Sequence, residues 1–161
     1  MMAQTRNWQD WLELILIFAG IAVATYLTYI KLFGLEAYCA GVGNCEAVQT
    51  SPYAELFGIP VAILGLLTYL ALLVLFLVKW FDWRDLGQLA TQLFFLVTLV
   101  GLLFSVYLTY LELFVILAIC PWCVASALVM LGLFFLALAD VLGGEPEYAV
   151  ESVPGEAGHR R

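Results

Sequence analysis

Four stretches of this chain stay apolar for long enough to cross a bilayer, and that feature leaves few folds open. A membrane-crossing helix needs about 20 residues at a rise of about 1.5 Å each. The first stretch runs roughly from Trp11 to Phe33 and the second from Gly58 to Trp80. The third runs from Gln88 to between Glu112 and Phe114, and the fourth from Pro121, or just before it, to Leu142. Between Leu93 and Leu142 the apolar run is almost continuous, too long for one crossing. Pro121 divides it, because proline suits the first turn of a helix and damages its interior. With 65% hydrophobic residues, the chain carries more apolar surface than a soluble domain of 161 residues could hide. The expected fold is all-α, a four-transmembrane-helix bundle over residues 1–142. An acidic tail over 143–161, lacking apolar periodicity, is expected to be disordered, with His159 a solvated residue within it.

The basic residues suggest how the bundle is inserted. Arg6 precedes the first stretch, Lys79 and Arg84 flank the second-to-third connection, and Arg160 and Arg161 end the tail. Only Lys31 falls on the other side. Under the positive-inside rule both termini are expected in the cytoplasm of a cell whose inner membrane this chain spans. Trp8, Trp11, Trp80 and Trp83 lie near the expected cytoplasmic ends, where amphipathic rings favour the headgroup region. The N-terminal segment has no short apolar region followed by a small-residue cleavage site, so no removable signal peptide is read there. The net charge of −7 is scattered, and no basic patch points to nucleic acid.

That topology sends all four cysteines to the extracytoplasmic side, where disulfides persist. Cys39 and Cys45 fall in the first loop, and Cys120 and Cys123 at the outer start of the fourth span. A repeat underlies the placement. "YLTYIKLFGLEAYC" from Tyr26 and "YLTYLELFVILAIC" from Tyr107 share eight of fourteen positions, including the final cysteine. Both segments run outward, so they deliver Cys39 and Cys120 to comparable depth, as in a parallel repeat about an axis along the membrane normal.

Cys120-Pro121-Trp122-Cys123 is the strongest local signal. At a helix start, unpaired N–H groups and the helix dipole favour a thiolate, which makes a good leaving group in disulfide exchange. Cys39 and Cys45 are joined by Ala-Gly-Val-Gly-Asn, a spacer that lets the pair close and also open. A structural disulfide has a potential below about −300 mV and a strong thiol oxidant one near −120 mV. That gap of roughly 180 mV is about 8 kcal/mol for two electrons, so a relay needs strain or thiolate stabilisation. Two inert bridges in a four-span scaffold, or a four-cysteine zinc site with one loosely spaced half, are the competing readings. Haem attachment fails, since Val124 stands where histidine is needed.

Taken together, these residues resemble the vitamin K epoxide reductase (VKOR) family, its bacterial members in particular. The resemblance runs from the first span to about Leu142. It rests on the Cys39/Cys45 spacing, Ser51 six residues later, "ELFGIP" opening the second span, "SVYL" in the third and CPWC opening the fourth. The DsbB-like membrane oxidases also have four spans and two outward pairs, but with CxxC in the first loop; here the order is reversed.

The resemblance implies a relay from protein thiols to a lipid quinone, ubiquinone or menaquinone, in support of disulfide formation in exported proteins. A thioredoxin-like (DsbA-like) periplasmic partner would deliver electrons at Cys39. Cys45 would then attack Cys120, and Cys123 would leave as the thiolate facing the quinone. An outer loop or half-helix would cap the quinone site. Ser51 matches the Ser/Thr position that supports this loop, and also reads as a helix N-cap before Pro52. Phe57, Leu108 and Phe114 are the expected quinone-lining residues. Glu112 either handles protons during quinone reduction or reaches the headgroups from a helix end.

Two departures from the family pattern shape the expectation. Many bacterial relatives carry a fused thioredoxin-like domain, and this sequence ends without one, so the partner is expected to be a separate protein. Vertebrate members have a tyrosine four residues after the second CxxC cysteine, where this chain has Ala127. Plain quinone reduction is therefore expected ahead of epoxide reduction.

Overall fold

The computed structural model describes residues 2–39, 43–81 and 86–143, with side chains from Trp8 onward. Four long helices dominate it: α1 (Met2–Phe33), α3 (Val61–Phe81), α4 (Gly87–Leu111) and α5 (Pro121–Gly143). Between α1 and α3 lie a short helix α2 (Cys45–Gln49), a 3-10 turn (Pro52–Ala54) and a two-residue hairpin, β1 (Glu55–Leu56) with β2 (Ile59–Pro60). A π-helical turn (Glu112–Ile116) closes α4. The long helices form a ring in chain order, α1 against α3, α3 against α4, α4 against α5 and α5 back against α1. Four segments are long and apolar enough to cross a membrane: Trp8–Phe33, Val61–Phe81, Gly87–Ile116 and Pro121–Gly143. The protein is a multi-pass membrane bundle.

Lipid explains the unusual surface. Leu67, Val74, Val100, Leu103 and Leu128 face outward and exposed, because lipid tails are as apolar as leucine and nothing is gained by burying them. Helices in such a solvent associate through close packing instead. Gly20 shows how: a Cβ there would overlap the Tyr69 ring, so only glycine lets α3 set this tyrosine flat against α1. Tyr69, Ile17, Leu72, Phe94 and Leu133 form the centre of the core.

One end of the bundle is tied by charge. Lys79 Nζ, near the end of α3, donates to Glu13 Oε2 of α1 at 2.9 Å and to the Asp140 carboxylate of α5. Asp10 stands 4.0 Å away, and the Phe94 ring of α4 lies with its centroid 5.9 Å from the ammonium. Thus the one described basic residue on the expected cytoplasmic side is consumed by an internal ion network. Trp8, Trp11 and Trp80 are exposed at this same end. Trp83, Arg84 and the tail from 144 onward, including His159, Arg160 and Arg161, lie outside the described residues, as does the Arg6 side chain.

The second span begins later than its sequence suggests. Phe57 (φ 54) and Gly58 (φ 81) reverse the chain, pairing Leu56 with Ile59 and Glu55 with Pro60, so the helix starts only at Val61. Pro60 lacks the N–H a helix interior would need and sits just before the first turn.

Candidate active site

All four cysteines lie at the end of the bundle opposite the ion network, where the first loop docks on the segment leading into α5. Asn44 N donates to the Ile119 carbonyl at 3.0 Å, joining the residues that immediately precede Cys45 and Cys120. Gly43 makes the approach possible. Its φ of 82 suits glycine, and a Cβ there would overlap the Ile119 carbonyl oxygen. Asn44 then caps α2, its Oδ1 accepting from Ala47 N at 3.1 Å, so Cys45 becomes the first residue of a helix and is buried. Cys39 and Cys45 are disulfide-bonded, with Cα atoms 6.2 Å apart. Cys39 is the more exposed of the two.

The second pair is held as free thiols. Cys120 is fully buried immediately before α5, and Cys123 lies in its first turn with the sulfurs 2.8 Å apart. Cys123 N also donates to Cys120 Sγ at 3.3 Å, so the sulfur occupies the place of an N-cap oxygen. The Cys120 thiol is held below the ordinary cysteine range, first by the hydrogen bond from the Cys123 thiol. Backbone N–H groups of Cys123 and Trp122 add to the effect, against burial and the nearby Glu112 carboxylate. A free cysteine titrates near about 8.5. In a Cys39→Ser/Cys45→Ser background, thiolate absorbance of the reduced protein should therefore give a first midpoint below that value. Adding Cys123→Ala removes the leading donor and should raise the Cys120 midpoint; an unchanged midpoint would mean the backbone alone sets it.

Trp122 links the two cysteine segments directly. Its indole N–H donates to the Tyr38 carbonyl at 2.9 Å, and its ring rests 5.0 Å from that of Tyr26. Tyr26 in turn accepts from Tyr38 N through its hydroxyl at 3.1 Å. Lys31 secures the far side of the loop, donating to the Gln49 carbonyl at 2.8 Å and standing 3.3 Å from the Glu55 carboxylate.

Beneath the loop a cavity of about 160 Å³ opens between the helices, lined from α1, α3, α4, α5 and the segment over them. Ser51, Leu108, Glu112 and Cys123 all reach its wall, as does Ala127. Ser51 stands before the 3-10 turn but does not cap it; its hydroxyl donates back to the Val48 carbonyl at 2.8 Å. Glu112 is buried, so the headgroup reading of this acid is corrected: the π turn swings it inward, and its Oε2 accepts from Cys120 N at 3.1 Å. The same turn sends Phe114 outward, exposed and stacked on Tyr110 at 5.0 Å, so Phe114 is not a lining residue. Phe57 is not one either. It sits at the hairpin tip, 97% exposed, because the chain reversal there points it away from the bundle. Tyr69 and Ser126 were not singled out from the sequence; the Tyr69 hydroxyl donates to the Ser126 carbonyl at 3.0 Å on the cavity wall. The signal for Tyr69 is a hydroxyl-bearing ring midway along an apolar span.

The sequence model of the vitamin K epoxide reductase family matches residues 11–138, a segment that holds all four cysteines and most of each long helix. The chain belongs to that family. Within it, the chain is similar to the thiol-disulfide oxidoreductase LTO1 of Arabidopsis thaliana, 31% identical over 123 residues. That match covers 72% of this chain and 32% of the plant protein, so this VKOR-family bundle spans about a third of its relative's length.

Proposed function

We propose that this VKOR-family protein is a membrane thiol–disulfide oxidoreductase that moves electrons from a thioredoxin-like protein to a lipid quinone. The observation that carries the reading is one juxtaposition. A disulfide-bonded pair is docked, through Gly43 and Asn44, onto the backbone beside a dithiol whose Cys123 faces an apolar cavity. The name of the plant relative agrees with that chemistry.

Each residue has a task in this scheme. The more exposed Cys39 receives the partner's thiolate, and Cys45 is released. Cys45 then attacks Cys120; the Cys45–Cys120 bond forms as a Cys120–Cys123 bond breaks, and Cys123 leaves toward the cavity. Burial of Cys45 and Cys120 keeps competing thiols away from the exchange. The cavity fits a quinone ring in kind, being mostly apolar with a few polar groups, the Glu112 carboxylate and the hydroxyls of Ser51 and Tyr69 among them. Quinone, when bound there, supplies a two-electron acceptor. Ala127 lines the cavity where vertebrate members of the family carry a tyrosine, which favours plain quinones over epoxides as substrates.

The orientation that suits this scheme puts the cysteines outside the cytoplasmic membrane and both termini inside. The decisive experiment supplies the purified protein with a reduced thioredoxin-like protein and ubiquinone or menaquinone, following quinone absorbance. Quinone reduction that tracks partner oxidation supports the reading. Two disulfides that persist through a strongly reducing glutathione series, with no quinone consumed, would leave a structural scaffold instead.

A further inference from the structure

Reduction of a quinone by a dithiol moves protons as well as electrons, and the scheme above leaves their route open. Four titratable side chains line the cavity among the described residues: Tyr53, Tyr69, Glu112 and Cys123. Tyr69 is occupied with Ser126, and Tyr53 sits in the 3-10 turn with nearly half its surface exposed. Glu112 differs from both. It is the single carboxylic acid in the lining, it is 4% exposed, and it shares the cavity wall with Cys123. Cys120 N donates to its Oε2 at 3.1 Å, which holds the carboxylate beside the CPWC pair. The one proton of the Cys123 thiol points to the Cys120 sulfur at 2.8 Å, and Glu112 is the alternative acceptor next to it.

The placement is built rather than incidental. An α-helical continuation would have spaced these residues differently; the π turn inserts extra chain, and such bulges recur at functional sites. The Glu112 carbonyl closes the turn by accepting from Ala118 N at 3.0 Å, and Leu117 takes a left-handed φ of 54 to allow it. A leucine rarely adopts that conformation, so the surroundings hold a backbone cost in place where the acid is aimed. The Cys120 N–H then fixes the carboxylate's orientation.

We propose that Glu112 is a catalytic proton carrier between the Cys123 thiol and the quinone oxygen. This rests on the quinone-reductase reading given above. In the step, the Cys120 thiolate and the Cys123 thiol form their S–S bond and together give up two electrons, which the quinone gains. The Cys123 proton passes to Glu112 and from there to one quinone oxygen; the second oxygen takes its proton from solvent, replacing the one Cys120 had already released. Glu112 ends as it began, so it carries the proton without consuming one.

Glu112→Gln isolates the role. The amide oxygen can still accept from Cys120 N, so the turn and the CPWC geometry are kept, but the side chain cannot relay a proton. Quinone reduction by the pre-reduced variant should fall by about 10²-fold or more, the usual contribution of a positioned acid–base group. Disulfide exchange between the two cysteine pairs, followed in the absence of quinone, should be kept, because the glutamine still accepts from Cys120 N. A quinone-free readout accompanies these: the Cys123 S–H stretch in the reduced protein should rise in frequency, since an amide is a weaker acceptor than a carboxylate. Wild-type rates in Glu112→Gln, or an unmoved S–H band, overturn the assignment while leaving the relay intact. Loss of cysteine exchange along with turnover would make Glu112 a structural support and likewise overturn it. If wild-type protein itself reduces no quinone, the underlying reading fails first. Should the glutamine variant fold poorly, Glu112→Ala supplemented with a small carboxylic acid provides a second test: recovered turnover supports the carrier, and none opposes it.

Discussion

Replacing Cys123 by alanine should cut quinone-dependent turnover by roughly 10³-fold or more, the scale seen when a covalent catalyst loses its reacting group. Among the four cysteines, Cys123 is the one whose side chain lines the apolar cavity. Without it Cys120 has no partner with which to close a disulfide, so no oxidised CPWC pair can form to accept electrons from Cys45. The upstream half of the path is untouched. Cys39 and Cys45 remain bonded and docked by the Asn44–Ile119 hydrogen bond, so a mixed disulfide between Cys39 and a thioredoxin-like partner should still be trapped. Folding is a small concern, since Cys123 is half-buried and its backbone N–H, which donates to Cys120 Sγ, is kept. Mass spectrometry of the trapped species, read beside quinone absorbance, checks both halves in one experiment. Undiminished turnover in Cys123→Ala would show that electrons leave by another sulfur.

The parts of this protein that sequence revealed are those governed by long-range composition. Apolar length located four spans, and Pro121 put the start of α5 at itself or just before, because proline's fixed φ and missing N–H act at one position; the helix begins at Pro121. The cysteine spacings and the repeated Tyr-Leu-Thr-Tyr segments brought the two pairs to one end. Where geometry turns on a single residue of slack, the sequence was silent. The "ELFGIP" stretch is apolar enough to pass for helix, yet its two-residue strands are too short to show alternation, and Phe57 is thrown outward at the turn. The two copies of the repeat part only where they leave the helix. The first leaves at Gly34 (φ 60), whereas the second runs into a π turn and leaves at Leu117 (φ 54). Up to that point matching residues keep the same face: Phe33 packs on Tyr29 at 4.6 Å as Phe114 packs on Tyr110 at 5.0 Å, both outward, and Glu112 rather than Phe114 meets the cavity.

The ion network at the opposite end lay beyond reach for another reason: its members are far apart in the chain, Lys79 being 66 residues from Glu13 and 61 from Asp140. It nevertheless controls the second large effect expected here. Lys79→Met should destabilise the bundle by about 3–5 kcal/mol, the cost of leaving a buried charge without its partner. Glu13 is the reason. Its side chain is fully buried, Oε2 is satisfied only by Lys79, and Oε1 has no partner among the described residues. Asp10 and Asp140 retain some exposure to solvent, but Glu13 has none. The pair's net worth is a separate quantity from the cost of breaking it. Adding Glu13→Leu to Lys79→Met removes the stranded acid and restores apolar contact with the core around Ile17 and Phe76, so the double variant should recover most of the loss. Denaturant unfolding in mixed micelles, followed by helical signal for wild type, both single variants and the double, gives the coupling energy directly. If the double variant is no more stable than Lys79→Met alone, the loss lies in the packing of the lysine stem between α3 and α4, and the network is a consequence of the fold instead of a clamp upon it.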